Sequence, residues 1–258
     1  MKRYRYYIAF ISLFIFLISG ILWARHNYVV PILMYHRIDD KADISRLSVC
    51  PDSFRRQMSF LKRWGYNVVR LEELPGLIKK GRVPYNTAAI TFDDGYENNF
   101  TRAYQILKEF NLPATIFVIP ALIGLEDYLT WDQVVEMSES NVVSIGSHTM
   151  THAWLPDSSE QKLDIEIFDS KRAIESHIRK SISSFSYPLG GFNEHVRDKV
   201  IKAGYDIAVA TNPGKKYPRH DLFAMKRLRI SNTSDNLFVF WIEISGFYTW
   251  IKEHRDKD

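Results

Sequence analysis

Cysteine is nearly absent: Cys50 is alone in 258 residues. That excludes an internal disulfide and a structural zinc site built on paired thiolates. The 12 glycines never fall into a Gly-x-Gly-x-x-Gly turn, which argues against a dinucleotide-binding sheet. An excess of one charge is lacking too. The 34 Lys and Arg exceed the 30 Asp and Glu by only +4, and the basic residues are scattered along amphipathic segments instead of being interleaved with aromatics. No nucleic-acid partner is expected from that pattern. Internal repeats and low-complexity tracts are missing, and long apolar runs are missing except for one near the start.

That run, residues 8–24, is uncharged and follows a basic, aromatic beginning. It reads as a membrane anchor or a signal peptide, and the basic end is expected to stay in the cytoplasm with the rest of the chain outside. Leu22-Trp23-Ala24 lacks the small residues at alternating positions that a signal peptidase needs, so an uncleaved anchor is the preferred reading. The expected division is 1–26 anchor, 27–231 catalytic domain and 232–258 aromatic tail. Residues 237–242 and 247–251 of that tail fit either a terminal helix packed on the domain or an element lying on a bilayer.

The chain between is organised around Thr91-Phe92-Asp93-Asp94-Gly95-Tyr96. The apolar run 88–92 predicts a buried parallel strand, and at its end the chain turns so that both carboxylates can reach one centre. Two half-buried like charges repel, so one is expected to be protonated or bound to a cation. Further strands are expected at 32–35, 67–69, 114–118, 142–146, 184–187, 207–210 and 228–230, alternating with helices. This is an α/β order with a parallel sheet.

A second motif is Ser147-His148-Thr149-Met150-Thr151-His152. Histidines four apart share one face of a helical turn and can bind one metal ion. With one of the two aspartates they supply three protein ligands, the composition of a catalytic zinc site that keeps a fourth position open. The residues between the histidines include no carboxylate, so the base must come from elsewhere, and Asp93 or Asp94 could provide it.

Thr-Phe-Asp-Asp-Gly followed some fifty residues later by Ser-His-Thr-x-Thr-His resembles the polysaccharide deacetylase family, the NodB-homology or carbohydrate esterase family four enzymes. The likeness runs from about Pro31 to Ser231 and includes residues 30–38, 129–132 and 185–190. It implies a distorted (β/α) barrel of about seven parallel strands with its site at their carboxyl ends. It implies Asp94, His148 and His152 as ligands of a divalent cation, zinc or else cobalt, nickel or iron. Asp93 would be the general base, and the backbone N–H of Leu189 would hold the oxyanion.

The sequence also departs from the family pattern. Ser186 stands where many members have an arginine that orients the base, and the late leucine-x-histidine motif that supplies the acid is missing. The branch acting on poly-N-acetylglucosamine is more similar, and by that resemblance His36 is the candidate acid. Arg227 or Arg229 is a candidate substitute for the missing arginine. Trp131, Tyr96 and Tyr187 are candidates for lining the sugar or acetyl pocket, with a place in the core as the alternative.

The function expected is removal of N-acetyl groups from an N-acetylhexosamine polysaccharide outside the cytoplasm. Peptidoglycan and a lipid-linked acylated sugar are alternative substrates, and a carbohydrate-binding protein without catalysis is the alternative from another class.

Overall fold

The computed structural model describes residues 2–26, 28–40, 47–81, 83–211, 217 and 221–248. The chain starts as one helix, α1 (Lys2–His26). Part of the anchor expected at 1–26 lies outside the described residues, since residue 1 and the side chains of residues 2–5, 8, 9 and 23–26 are not included. Among the described residues no helix is long and apolar enough to cross a membrane, so they do not support the expected span.

Strand β1 (Ile32–Tyr35) follows, then a small separate ladder of β2 (Arg37–Ile38) and β3 (Ser48–Val49). Helix α2 (Pro51–Arg63) begins with a proline, which needs no N–H partner there, and buries Phe54, Met58 and Leu61 at helical spacing. Then come β4 (Asn67–Val69), α3 (Leu74–Lys79), β5 (Thr87–Phe92), α4 (Gln105–Phe110) and β6 (Ala114–Val118). Helix α5 (Trp131–Glu139) starts with Thr130 and Gln133 capping each other's backbone. Next are β7 (Val143–Ser147), α6 (Glu160–Asp164) and α7 (Ser170–Ile178). They lead to β8 (Ser184–Ser186), α8 (Glu194–Lys202), β9 (Ile207–Ala210), β10 (Met225–Lys226), β11 (Leu228–Arg229) and α9 (Leu237–Glu243).

Every pairing in the main sheet is parallel, as the alternation of elements predicts. β10 pairs with β9, and β11 pairs with β1 at the opposite end of the order. The two are halves of one segment interrupted at Arg227, so the 9-stranded sheet returns on itself. Counting these halves as one (9 − 1) leaves a nearly closed barrel of eight strands, close to the seven expected.

β5 is buried at all six positions, as a strand covered on both faces must be. Strand parity then sorts the core. Ile32, Ala89, Phe117, Ile207, Val209 and Met225 form an inner cluster, while Leu33, Ile90, Ile116 and Ala208 join the larger cluster under the helices. Gly146 is required between these strands, because a Cβ there would lie 2.6 Å from both the Phe117 ring and Ser184 Oγ.

The described part of the tail packs on the domain. Phe240 is fully buried and meets Phe60 edge to face at 6.0 Å, and the Val29 N–H donates to the Gly246 carbonyl. Phe238 and Trp241 stay exposed, and residues 249–258 lie outside the described residues.

Candidate metal centre and active site

β5 ends at Phe92, and the next two carboxylates reach one centre because the chain turns sharply. Asp94 has φ 71°, a left-handed conformation that aspartate tolerates better than most residues, and Gly95 continues it at φ 69°. Parity on β5 points Asp93 the same way as Ala89 and Thr91, into the barrel.

The two histidines are not on a helical turn, contrary to the expectation from their spacing. His148 directly follows β7, and residues 148–152 form an irregular loop in which Thr149 and His152 have φ of 65° and 61°. Side chains replace the missing helical bonds. Thr149 N–H donates to Ser147 Oγ, and His152 N–H donates to Thr149 Oγ1 at 3.0 Å. Glu166, buried in the wider turn Ile165–Asp169, accepts from both the N–H and the hydroxyl of Thr151. The sequence reading missed Glu166. Its signal was a carboxylate on the stripe of Leu163, Ile167, Ser170 and Ile174, which the helix turns inward. Glu166→Gln should weaken metal affinity roughly 10- to 100-fold, the usual cost of losing a support behind a ligand. Chelator competition would measure this, and unchanged affinity would show that the loop holds its shape without the carboxylate.

Asp94, His148 and His152 offer ligand atoms that all lie within 4.8 Å of one another. Asp94 Oδ1 is 3.5 Å from Nε2 of each histidine. His148 Nδ1–H donates to the Ser186 carbonyl at 2.8 Å, which leaves the Nε2 lone pair facing Asp94. Burial, then the neighbouring His148, lower the His152 pKa against the pull of Asp94 and Asp93, which favours the neutral form that ligation needs. One carboxylate and two imidazoles suit zinc or a similar divalent ion, with room left for a fourth partner.

Asp93 lies beside this cluster, 3.8 Å from His148 Nε2. Arg227, from the seam between β10 and β11, grips it with both guanidinium nitrogens at 2.6 Å, Nη1 to Oδ1 and Nη2 to Oδ2. The structure thus pairs Arg227 with Asp93 and leaves Arg229 exposed. Ser186 is part of the substitution, since its hydroxyl accepts from Arg227 Nη2 at 2.9 Å. Burial pushes the Asp93 carboxyl up, but the Arg227 charge, His148 and the Arg227 hydrogen bonds outweigh it and hold the carboxyl well below the ordinary range.

His36 follows β1 and lies within the electrostatic reach of Asp93, Asp94, Arg227 and His148. Burial lowers its pKa, the two aspartates oppose that shift, and its Nδ1 is buried with no hydrogen-bond partner among the described residues. Leu189 is in the turn Pro188–Gly190 at φ 56°. The N–H groups of Gly190 and Gly191 bond to the carbonyls of Tyr187 and Pro188, whereas Leu189 occupies an early helical position, where an N–H has no partner within the turn.

The three aromatic candidates separate. Tyr96 belongs to the rim: half-buried next to Asp94, it stacks on Tyr128 at 5.2 Å and lies under the Arg37 guanidinium at 3.9 Å. Tyr187 is core. It is fully buried, its hydroxyl donates to the Phe223 carbonyl, and Phe192 and Phe185 cover its ring, so no face is left for a sugar. Trp131 lies flat on His177 of α7, centroids 3.7 Å apart, and packs against the core, so its described partners are structural.

Comparison with known proteins agrees with this geometry. The polysaccharide deacetylase family pattern matches residues 80–208. The Bacillus subtilis protein YxkH, which carries a polysaccharide deacetylase name, is 34% identical over 216 residues, 83% of this chain and 76% of its own. A Staphylococcus aureus poly-β-1,6-N-acetyl-D-glucosamine N-deacetylase is 26% identical over 220 residues, 80% of this chain and 75% of its own. The Streptococcus pyogenes deacetylase PplD, solved with acetate, superposes with a TM-score of 0.74 at 30% identity and covers 81% of this chain and 96% of its own. On motif, fold and identity over most of its length, this chain belongs to the polysaccharide deacetylase family.

Proposed function

We propose that this protein is a metal-dependent N-deacetylase acting on an N-acetylhexosamine polysaccharide. The observation that carries this reading is the Asp93–Arg227 ion pair beside the Asp94, His148 and His152 cluster. An N-acetyl amide is a poor electrophile. A cation held by those three residues would supply the Lewis acidity that polarises its carbonyl and makes water acidic enough to attack.

The remaining roles fall to the chain itself. Asp93, kept ionised and aimed by Arg227, takes the proton of the attacking water. The Leu189 N–H faces the oxygen that becomes negative as the carbon turns tetrahedral. His36 gives a proton to the departing amine, the step that an amide needs most. Tyr96 borders the acetyl side of the cleft.

A poly-β-1,6-N-acetyl-D-glucosamine is the preferred substrate, by likeness to the Staphylococcus aureus enzyme named for it. The proposed location is extracytoplasmic, on the basis of the uncharged run of residues 8–24 that follows a basic start. The binding-protein alternative drew its support from the missing arginine and the missing late histidine; Arg227 meets the first, and the His36 variant below addresses the second.

The test is acetate release from N-acetylglucosamine oligomers with added zinc or cobalt. Asp93→Asn should lower kcat by about 10²–10⁴ and keep the metal, and His36→Ala should lower it by a similar factor. Full activity in His36→Ala would move the acid elsewhere. No release from these oligomers or from peptidoglycan, with any of the metals, would sink the enzymatic reading.

A further inference from the structure

Trp154 is two residues beyond His152, and the chemistry above gives it no task. It is 48% exposed, and Leu189, in the neighbouring turn, is 73% exposed. This exposure is not slack. The indole N–H donates to Asp157 at 3.0 Å, and the ring edge rests on Gly191 so closely that a Cβ there would be 2.0 Å from Cζ3. Any side chain at 191 would therefore evict the indole. Asn193 fixes the same loop from the other side by donating to the Pro156 carbonyl at 3.1 Å.

A tryptophan fixed in this way has lost its rotational freedom in advance, so a flat partner binds it without a further ordering cost. Its position is equally specific. Gly191 continues the turn that presents Leu189, and Trp154 continues the loop that presents His152, so the indole joins the two segments that border the reaction centre. A pyranose has an apolar C–H face, and an indole is the side chain best shaped to cover it.

We infer that Trp154 is a stacking platform for a sugar ring adjacent to the one being deacetylated, so that the site binds a stretch of polymer and not a single residue. This rests on the deacetylase reading. The test uses the full-length protein and its Trp154→Ala and Trp154→Phe variants with N-acetylglucosamine monomer and pentamer. Calorimetric binding of the pentamer is measured in the Asp93→Asn background to prevent turnover.

For the pentamer, Trp154→Ala should raise KM and Kd about 3- to 10-fold with kcat within about twofold, and Trp154→Phe should recover most of the loss. Monomer kinetics should not change. Equal losses on monomer and pentamer, or a fall in kcat, would mean that the indole only supports the Leu189 turn, and would overturn the proposal. Unchanged KM and Kd would overturn it as well. Should the unmodified protein release no acetate, the deacetylase reading fails by itself and calorimetry decides the platform: binding weakened by Trp154→Ala keeps it, and equal or absent binding removes it.

Discussion

Arg227→Met should destabilise the fold by about 3–5 kcal/mol and abolish most acetate release. The pair is almost completely buried, with 1% and 4% of the two side chains exposed, so losing the guanidinium leaves a buried carboxylate with only the longer contacts to Ser186 Oγ at 3.5 Å and His148 Nε2 at 3.8 Å. The sign of the pH dependence should also reverse. In the native protein the depressed Asp93 pKa contributes stability that is complete above the ordinary carboxylate range and is lost as pH falls below it. In Arg227→Met burial dominates and the pKa rises, so protonation relieves the variant and the stability gap should narrow between pH 7 and pH 5. Urea unfolding at both pH values measures this. Arg227→Lys keeps the charge but cannot bind both oxygens, so it should recover more stability than activity. An Arg227→Met protein of native stability and rate would remove the ion pair from any account of the site.

The second large effect concerns metal binding. Asp94→Ala or His148→Ala should weaken zinc binding by more than about 100-fold, beyond the loss expected for a supporting residue, and activity should vanish with it. The informative comparison is with Asp93→Asn. Asp93 and Asp94 are neighbours of the same chemistry, yet only Asp94 is within 3.5 Å of both imidazoles. Metal retained in Asp93→Asn and lost in Asp94→Ala would separate base from ligand. Metal lost equally in both would merge the roles and make the carboxylates a shared clamp.

Most of the barrel could be read from local pattern, because strands buried on both faces leave uninterrupted apolar runs such as residues 88–92. The donor chemistry was legible as well, but not all of its geometry. A spacing of four suits a helix face, and nothing in Thr149 or His152 announces positive φ, which goes with the bonds of Thr149 to Ser147, His152 to Thr149 and Thr151 to Glu166 in the folded loop. Tyr187 could have been excluded by parity: if Ser186 faces the barrel and Arg227, its neighbour must face the helices. Arg227 was legible only as one of two arginines on a late strand. Its pairing with Asp93 spans 134 residues, beyond the reach of local pattern.

On the proposed function, the seam at Met225 to Arg229 also sets when the chain gains its catalytic pair. Asp93, Asp94, His148 and His152 all emerge during synthesis before the segment that closes the barrel, and Arg227 arrives only with that segment. Closing the last gap and pairing the base are therefore one event. A chain released or cut before Met225 would hold every metal ligand and both carboxylates but lack the partner that keeps Asp93 ionised, so an incomplete copy could take up a cation without gaining hydrolytic power.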